Sequence, residues 1–187
     1  VAATLDGFIA GPEGGDPSAE DYMAVTPDLV EFIATHYPET LPGPARDAMG
    51  LTEPGQVFDT VVEGRRSYDI GLAAGIDDAY PHLRHLVVST TLGSAPAPAV
   101  EVVSGDPLGR VRELKAEDGL GIWLVGGGRL AHALLPEIDR LVIKLNTSVI
   151  GSGVPLFDGG FTPTLFETVD VTSLAGGVQV ITCERRA

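Results

Sequence analysis

The chain has 187 residues, 44% of them hydrophobic, enough to bury the core of one ordinary domain, and a single globular domain over 1–187 is expected. With 26 acidic residues against 12 Lys and Arg the formal net charge is −14, which argues against a nucleic-acid or anionic-membrane surface, because both need a basic footprint. No apolar run approaches the ~20 residues of a membrane span and no charged-then-apolar leader opens the chain, so a cytoplasmic protein is expected.

In chain order, runs rich in Val, Ile and Leu predict strands over Ala2–Leu5, Gln56–Val62, His85–Ser89, Val100–Val103, Ile122–Val125, Leu141–Asn146, Thr164–Val171 and Val178–Cys183. The stretch LDGFIAGPEGGD, after the first strand, has the glycine content of a mobile loop able to close over a reacting pair. Thr26 followed by Pro27 starts a helix whose Leu29, Phe32, Ile33 and Tyr37 recur at helical spacing. Pro and Gly between Leu41 and Gly55 predict a long loop. Asp106 and Pro107 start a second helix, and shorter ones are expected after Gly64 and Gly128. Strands alternating with helices imply a three-layer α/β fold, a mostly parallel sheet flanked by helices. The last two strands follow one another across TSLAGG, which predicts a closing antiparallel hairpin.

Three of these strands end in residues suited to a phosphate. Gly126, Gly127 and Gly128 close the strand IWLV and open a short helix, a turn that offers free amides to an anion; a tight turn packed on a neighbour is the other reading. Gly126, Gly128 and Ala131 satisfy a dinucleotide fingerprint in spacing, but Pro136 cuts the helix short and Asn146 stands where an acid should bind ribose. Upstream, Gly64 leads into Arg65, Arg66 and Ser67 at a helix start. Guanidinium groups bind phosphate in a bidentate fork, whereas a solvated Arg pair there would be disfavoured by the helix dipole. Ser89, Thr90 and Thr91 add hydroxyls at a third strand end. In an open parallel sheet such ends fall along one rim.

ATLDGFIAGPEG at Ala3–Gly14, VVEGRRSYD at Val61–Asp69, VVSTTL at Val87–Leu92, LVGGGRLAHALL at Leu124–Leu135 and VIGSGVPLF at Val149–Phe157 together resemble the dihydrofolate reductase fold family. Within it they are most similar to the branch related to the reductase domain of the bifunctional riboflavin biosynthesis deaminase-reductase. The resemblance implies an eight-stranded mixed sheet with NADPH along its carboxyl edge. It would set the turn Val125, Gly126, Gly127, Gly128, Arg129 and Leu130 at the pyrophosphate. Gly64, Arg65, Arg66 and Ser67, with Ser89 and Thr90, would surround the adenosine 2′-phosphate, and Asp6 with Gly7 would lie beside the nicotinamide. Asp-Leu-x-x-Phe at Asp28–Phe32 resembles the helix carrying the substrate-binding acid, making Asp28 the substrate carboxylate and Glu31 its reserve; an Asp in a first helical turn also simply favours the dipole. The Leu-Pro-Trp of true dihydrofolate reductases is absent, with EGGDPSAEDY in its place. A homodimer is implied too, and the apolar C-terminal strand offers an edge for it.

The remaining polar residues point to no metal site. His82 and His85 lack further ligands and are expected at the surface, His132 in solvent, Trp123 and Phe157 in the core, and the lone Cys183 as strand packing. The expectation is an NADPH-dependent reductase of a small heterocyclic or carbonyl substrate. A dinucleotide-binding sensor or scaffold without turnover is the alternative.

Overall fold

The computed structural model describes residues 1–23 and 25–186. The chain divides into two compact units, one of Glu31–Gly126 and one of Val1–Val30 with Gly127–Ala187.

The first unit is built on a parallel sheet of β3 (Phe58–Gly64), β4 (Arg84–Val88), β5 (Glu101–Val103) and β6 (Gly121–Gly126), in the order β5-β4-β3-β6. β3 connects to β4 through α3 (Arg65–Ala73), and β5 returns past both to β6 through α4 (Pro107–Lys115). These crossovers run in opposite directions, so right-handed connections put α3 and α4 on opposite faces. The central strands are accordingly buried on both sides, with Val61 and Val87 facing one way, Val62 and Leu86 the other, each no more than 1% exposed. Tyr68 of α3 packs on Val87, Ala97 and Val100, and Tyr80 stands edge-on to Trp123 over Val61 and Leu83.

The amino end of β3 is fixed by a buried carboxylate. Glu39 is fully buried in a short 3-10 turn, and its Oε1 accepts from the amides of Val57 and Phe58 at 2.7 and 2.8 Å. Nearby, Arg46 is buried on α2 (Gly43–Met49) and donates to the carbonyls of Pro38 and Glu53. This helix replaces the long loop expected between Leu41 and Gly55. Pro44 in its first turn and Gly50 in the left-handed region at its end read as loop residues, yet they are a helix start and stop.

The second unit carries β1 (Ala2–Thr4), β7 (Arg140–Asn146), β9 (Phe166–Ser173) and β10 (Gln179–Arg185) in the order β1-β7-β10-β9. β1 pairs parallel to β7 and the rest is antiparallel, which includes the expected closing hairpin. Cys183 lies half-buried beside an irregularity in that hairpin. Two short strands, β2 (Phe8–Ala10) and β8 (Val154–Pro155), pair with each other, so part of the expected mobile loop is strand. α5 (Gly128–Leu134) completes this unit, while α1 (Pro27–His36) begins in it and continues into the other. The described residues thus hold ten strands in three hydrogen-bonded sheets, where the sequence predicts eight strands in one. The eight expected strands are all present, and the two added ones are too short to show a periodicity.

Removing the Glu39 carboxylate leaves two buried-end amides without their acceptor, each costing about 1–3 kcal/mol. Glu39→Ala should therefore lower unfolding free energy by at least about 2 kcal/mol in urea denaturation.

Candidate functional site

At the carboxyl end of β3, Gly64 caps α3 in an extended conformation with no side-chain hydrogen bond, so the first amides of the helix remain available. Arg65 uses its Nε to reach Asp69 at 2.7 Å, leaving its outer nitrogens free of protein partners among the described residues. Arg66 is exposed and has no ion-pair partner among those residues. Ser67 is half-buried behind them.

On the neighbouring strand the chain leaves β4 at Ser89. This serine is 6% exposed, and its hydroxyl accepts from the amides of Thr91 and Leu92 at 3.2 and 3.1 Å, holding the turn. Thr90 projects from the tip of that turn, exposed.

On the other side of β3, β6 ends in the three glycines, and each is there for a different reason. Gly126 has φ +150°, which side chains rarely adopt. A Cβ on Gly128 would lie 2.1 Å from the Pro155 carbonyl oxygen, and the Gly128 carbonyl accepts from the Asp158 amide at 3.0 Å, so this glycine is required by packing. Gly127 has φ −92° and nothing within 4 Å of a built Cβ. At Gly127, unlike Gly128, the protein leaves open the space a side chain would take. Of the neighbouring residues, Val125 packs against the cluster of Val61, Tyr80 and Leu83, Leu130 is buried, and Arg129 is exposed and paired with Asp158 at 3.2 Å.

The remaining expected residues lie elsewhere in the fold. Asp6 accepts from the Thr4 hydroxyl at 2.6 Å and from the amides of Ile150 and Gly151. The Thr4 hydroxyl first, then those amides, hold its carboxyl below the usual range. Gly7 turns the chain at φ +83°. Asp28 in α1 accepts from the Gly176 amide at 2.9 Å and from its neighbour Leu29 at 3.0 Å. The Thr26 side chain, then the Gly176 amide, keep this carboxyl ionised to lower pH than usual. Asp28 therefore latches the β9–β10 turn onto the start of α1. Glu31 is exposed.

A buried cluster behind the β3 end escapes the sequence reading. His85, expected at the surface, is 1% exposed, with Nε2 2.8 Å from Glu63 and Nδ1 2.8 Å from Asp78. Burial works against charge on this ring, but the hydrogen bonds to Glu63 and Asp78 outweigh it and the imidazole titrates above its ordinary range. The readable signal was Glu63, a charge that follows directly on the valine pair Val61–Val62 at the end of the strand. His132, expected in solvent, is half-buried with its ring against Gly159, and His82 contacts the Glu39 carbonyl. Among the described residues no group of three or more His, Cys, Asp or Glu side chains is placed to hold a metal ion, and no helix is long and apolar enough to cross a membrane.

No sequence-family model matches the chain. It is 28% identical over 170 residues to the uncharacterized protein YyaP of Bacillus subtilis, covering 84% of this chain and 77% of that one. To the uncharacterized protein YwjB of the same organism it is 29% identical over 110 residues, 58% of this chain and 63% of that one. Among solved structures, a candidate riboflavin biosynthesis protein from Shewanella sp. PV-4 superposes over 100% of this chain and 97% of its own with TM-score 0.69 and 23% identity. The diaminohydroxyphosphoribosylaminopyrimidine deaminase/5-amino-6-(5-phosphoribosylamino)uracil reductase of Thermotoga maritima gives TM-score 0.64 at 17% identity, over 100% of this chain and 55% of that one. The chain thus has the dihydrofolate-reductase-like α/β fold. Within that fold its neighbours are of the riboflavin-pathway type.

The three glycines can be separated experimentally. Gly128→Ala forces backbone apart and should cost about 1–3 kcal/mol in thermal or urea unfolding. Gly127→Ala should stay within about 1 kcal/mol of the parent, the small cost of Ala against Gly at a helix cap.

Proposed function

We propose that the protein is an NADPH-dependent reductase acting on a small heterocyclic, pterin- or pyrimidine-like, or carbonyl substrate. The observation that carries this reading is the joint chemistry of three neighbouring strand ends in one parallel sheet: the uncapped α3 start with Arg65 and Arg66, the Ser89–Thr90 turn, and Gly126 at the end of β6. The strand order also reverses at β3, which sends its connection to β4 while β6 lies on its other side, and ligands of open α/β sheets bind outside the carboxyl ends at such points.

In this reading Arg65 and Arg66 hold the 2′-phosphate with Ser67 and Thr90, and the glycine end of β6 at Gly126 faces the pyrophosphate with backbone alone. The bound cofactor supplies a hydride. Asp28, ionised at neutral pH, can accept N–H hydrogen bonds from an amino-substituted ring and orient it, but it is a poor proton donor. Its engagement with Gly176 is also the observation that favours the second reading, a dinucleotide-binding sensor without turnover.

Calorimetric titration with NADPH and NADH tests the assignment. Each lost charge-assisted hydrogen bond is worth about 1.5–3 kcal/mol, so Arg65→Ala with Arg66→Ala should weaken NADPH at least about 100-fold and NADH far less. Failure of the parent to bind either nucleotide would overturn the reading. Binding without oxidation of NADPH by any pterin, pyrimidine or carbonyl compound would favour the sensor.

We also propose a homodimer. The C-terminal strand expected to offer the edge, β10, is paired on both sides, by β7 and β9; the free edge is that of β9, where Val169 and Val171 are about half exposed and an unpaired strand can take a second copy. Light scattering should give a dimer for the parent and a shift to monomer for Val171→Lys; a monomeric parent would refute it.

A further inference from the structure

Behind the β3 strand end, Glu63, His85 and Asp78 form an array that is almost closed to water. Glu63 is 3% exposed and His85 1%, and both ring nitrogens lie 2.8 Å from a carboxylate oxygen. Two such hydrogen bonds need two hydrogens. Ionised carboxylates only accept, and a neutral imidazole carries one N–H, so the array holds one proton more than a neutral ring between two carboxylates. Tyr68 of α3 and Tyr80 stand edge-on to the imidazole, with centroids at 5.9 and 5.7 Å, and the Tyr68 hydroxyl donates to the Asp77 carbonyl.

Glu63 is also the residue on which the rim is built. It immediately precedes Gly64, the cap of α3. Its backbone lies opposite Gly126, where the register of β3 on β6 shifts, so one residue ties together the end of β3, the glycine end of β6 and, through His85, β4. Loss of the extra proton would leave two acceptors facing each other across 2.8 Å in a water-poor site, and one carboxylate must then swing away.

We propose that the Glu63–His85–Asp78 array is a positioning element for the dinucleotide edge, holding Gly64–Ser67 and Gly126 in their binding arrangement only while His85 is doubly protonated. This rests on the dinucleotide reading above. Bound nucleotide then favours the protonated array, and linkage fixes the sign. Because the folded His85 titrates above its unfolded value, the array's contribution is whole at pH below about 6.5 and is lost as pH rises through the folded value.

The test is NADPH affinity by calorimetry from about pH 7 to about pH 9, above the titration of the cofactor's own 2′-phosphate near about pH 6. Circular dichroism follows the fold and proton NMR follows the ring. The parent should lose affinity toward a limiting slope of about tenfold per pH unit once His85 titrates, with its circular dichroism unchanged. His85→Gln, which cannot donate to both acids, should bind more weakly at about pH 7 and show little pH dependence. Asp78→Asn removes one charge that holds the proton and should move the fall to lower pH, a shift that a purely structural contact would not produce. Affinity that stays flat while His85 titrates, or an Asp78→Asn profile superimposable on the parent, overturns the proposal and leaves the cofactor assignment standing. A parent that binds no NADPH at about pH 7 removes both.

Discussion

The unit that carries the strand-end rim depends on β3 being held at both ends by buried carboxylates. At its start Glu39 gathers the amides of Val57 and Phe58, and at its finish Glu63 is held by His85. Between them Thr60, Val61 and Val62 are buried, and burial of the two valines fixes the depth of the strand more firmly than its position along its own axis. Sliding an apolar strand exchanges one valine for another at small cost. The polar anchors are what make such a slip expensive, because each would leave a charge or an amide buried without a partner.

That division of labour explains why the rim can be open. α3 is not capped by a side chain, and β6 ends in Gly126 at a φ of +150°. Uncapped helix starts and a side-chain-free turn forgo local stabilisation. The cost is offset behind the rim by the anchored β3 and, at the rim itself, by the Ser89 hydroxyl that closes its own turn. A site whose amides remain free to meet an anion has to be held from behind.

The strands and the closing hairpin were legible because their apolar runs are long and β-branched, and α1 because cap, proline and periodicity agree. α2 was not, since in seven residues the helix offers Pro44 and a terminal Gly50 but no periodic apolar face. β2 and β8 were not, because strands of three and two residues leave no pattern to read. In the site, residue type was legible and purpose was not. Three adjacent glycines look alike in sequence, and only the geometry separates a backbone angle at Gly126, a packing contact at Gly128 and open space at Gly127. Asp28 and Asp6 likewise read as ligand-facing acids, yet their oxygens accept from backbone amides of distant segments, contacts that no local spacing encodes. His85 read as surface because its two acids lie 22 and 7 residues away.

Charge sharpens the significance of Arg66. In a chain of net charge −14 the other arginines of this unit are largely consumed: Arg84 by Glu117, Arg110 by Glu101 and Glu113, and Arg46 by backbone carbonyls. Arg65 spends one nitrogen on Asp69. Arg66 has no such partner among the described residues, and it stands in the first turn of α3, where the helix field repels a cation. An anion at that helix start reverses both penalties, since the dipole and the guanidinium then act on it together. In so acidic a protein long-range attraction does not bring an anion in, and selectivity must come from short-range, directional contacts at one place. The unpaired Arg66 beside uncapped amides, on a strand end fixed from within, meets those requirements.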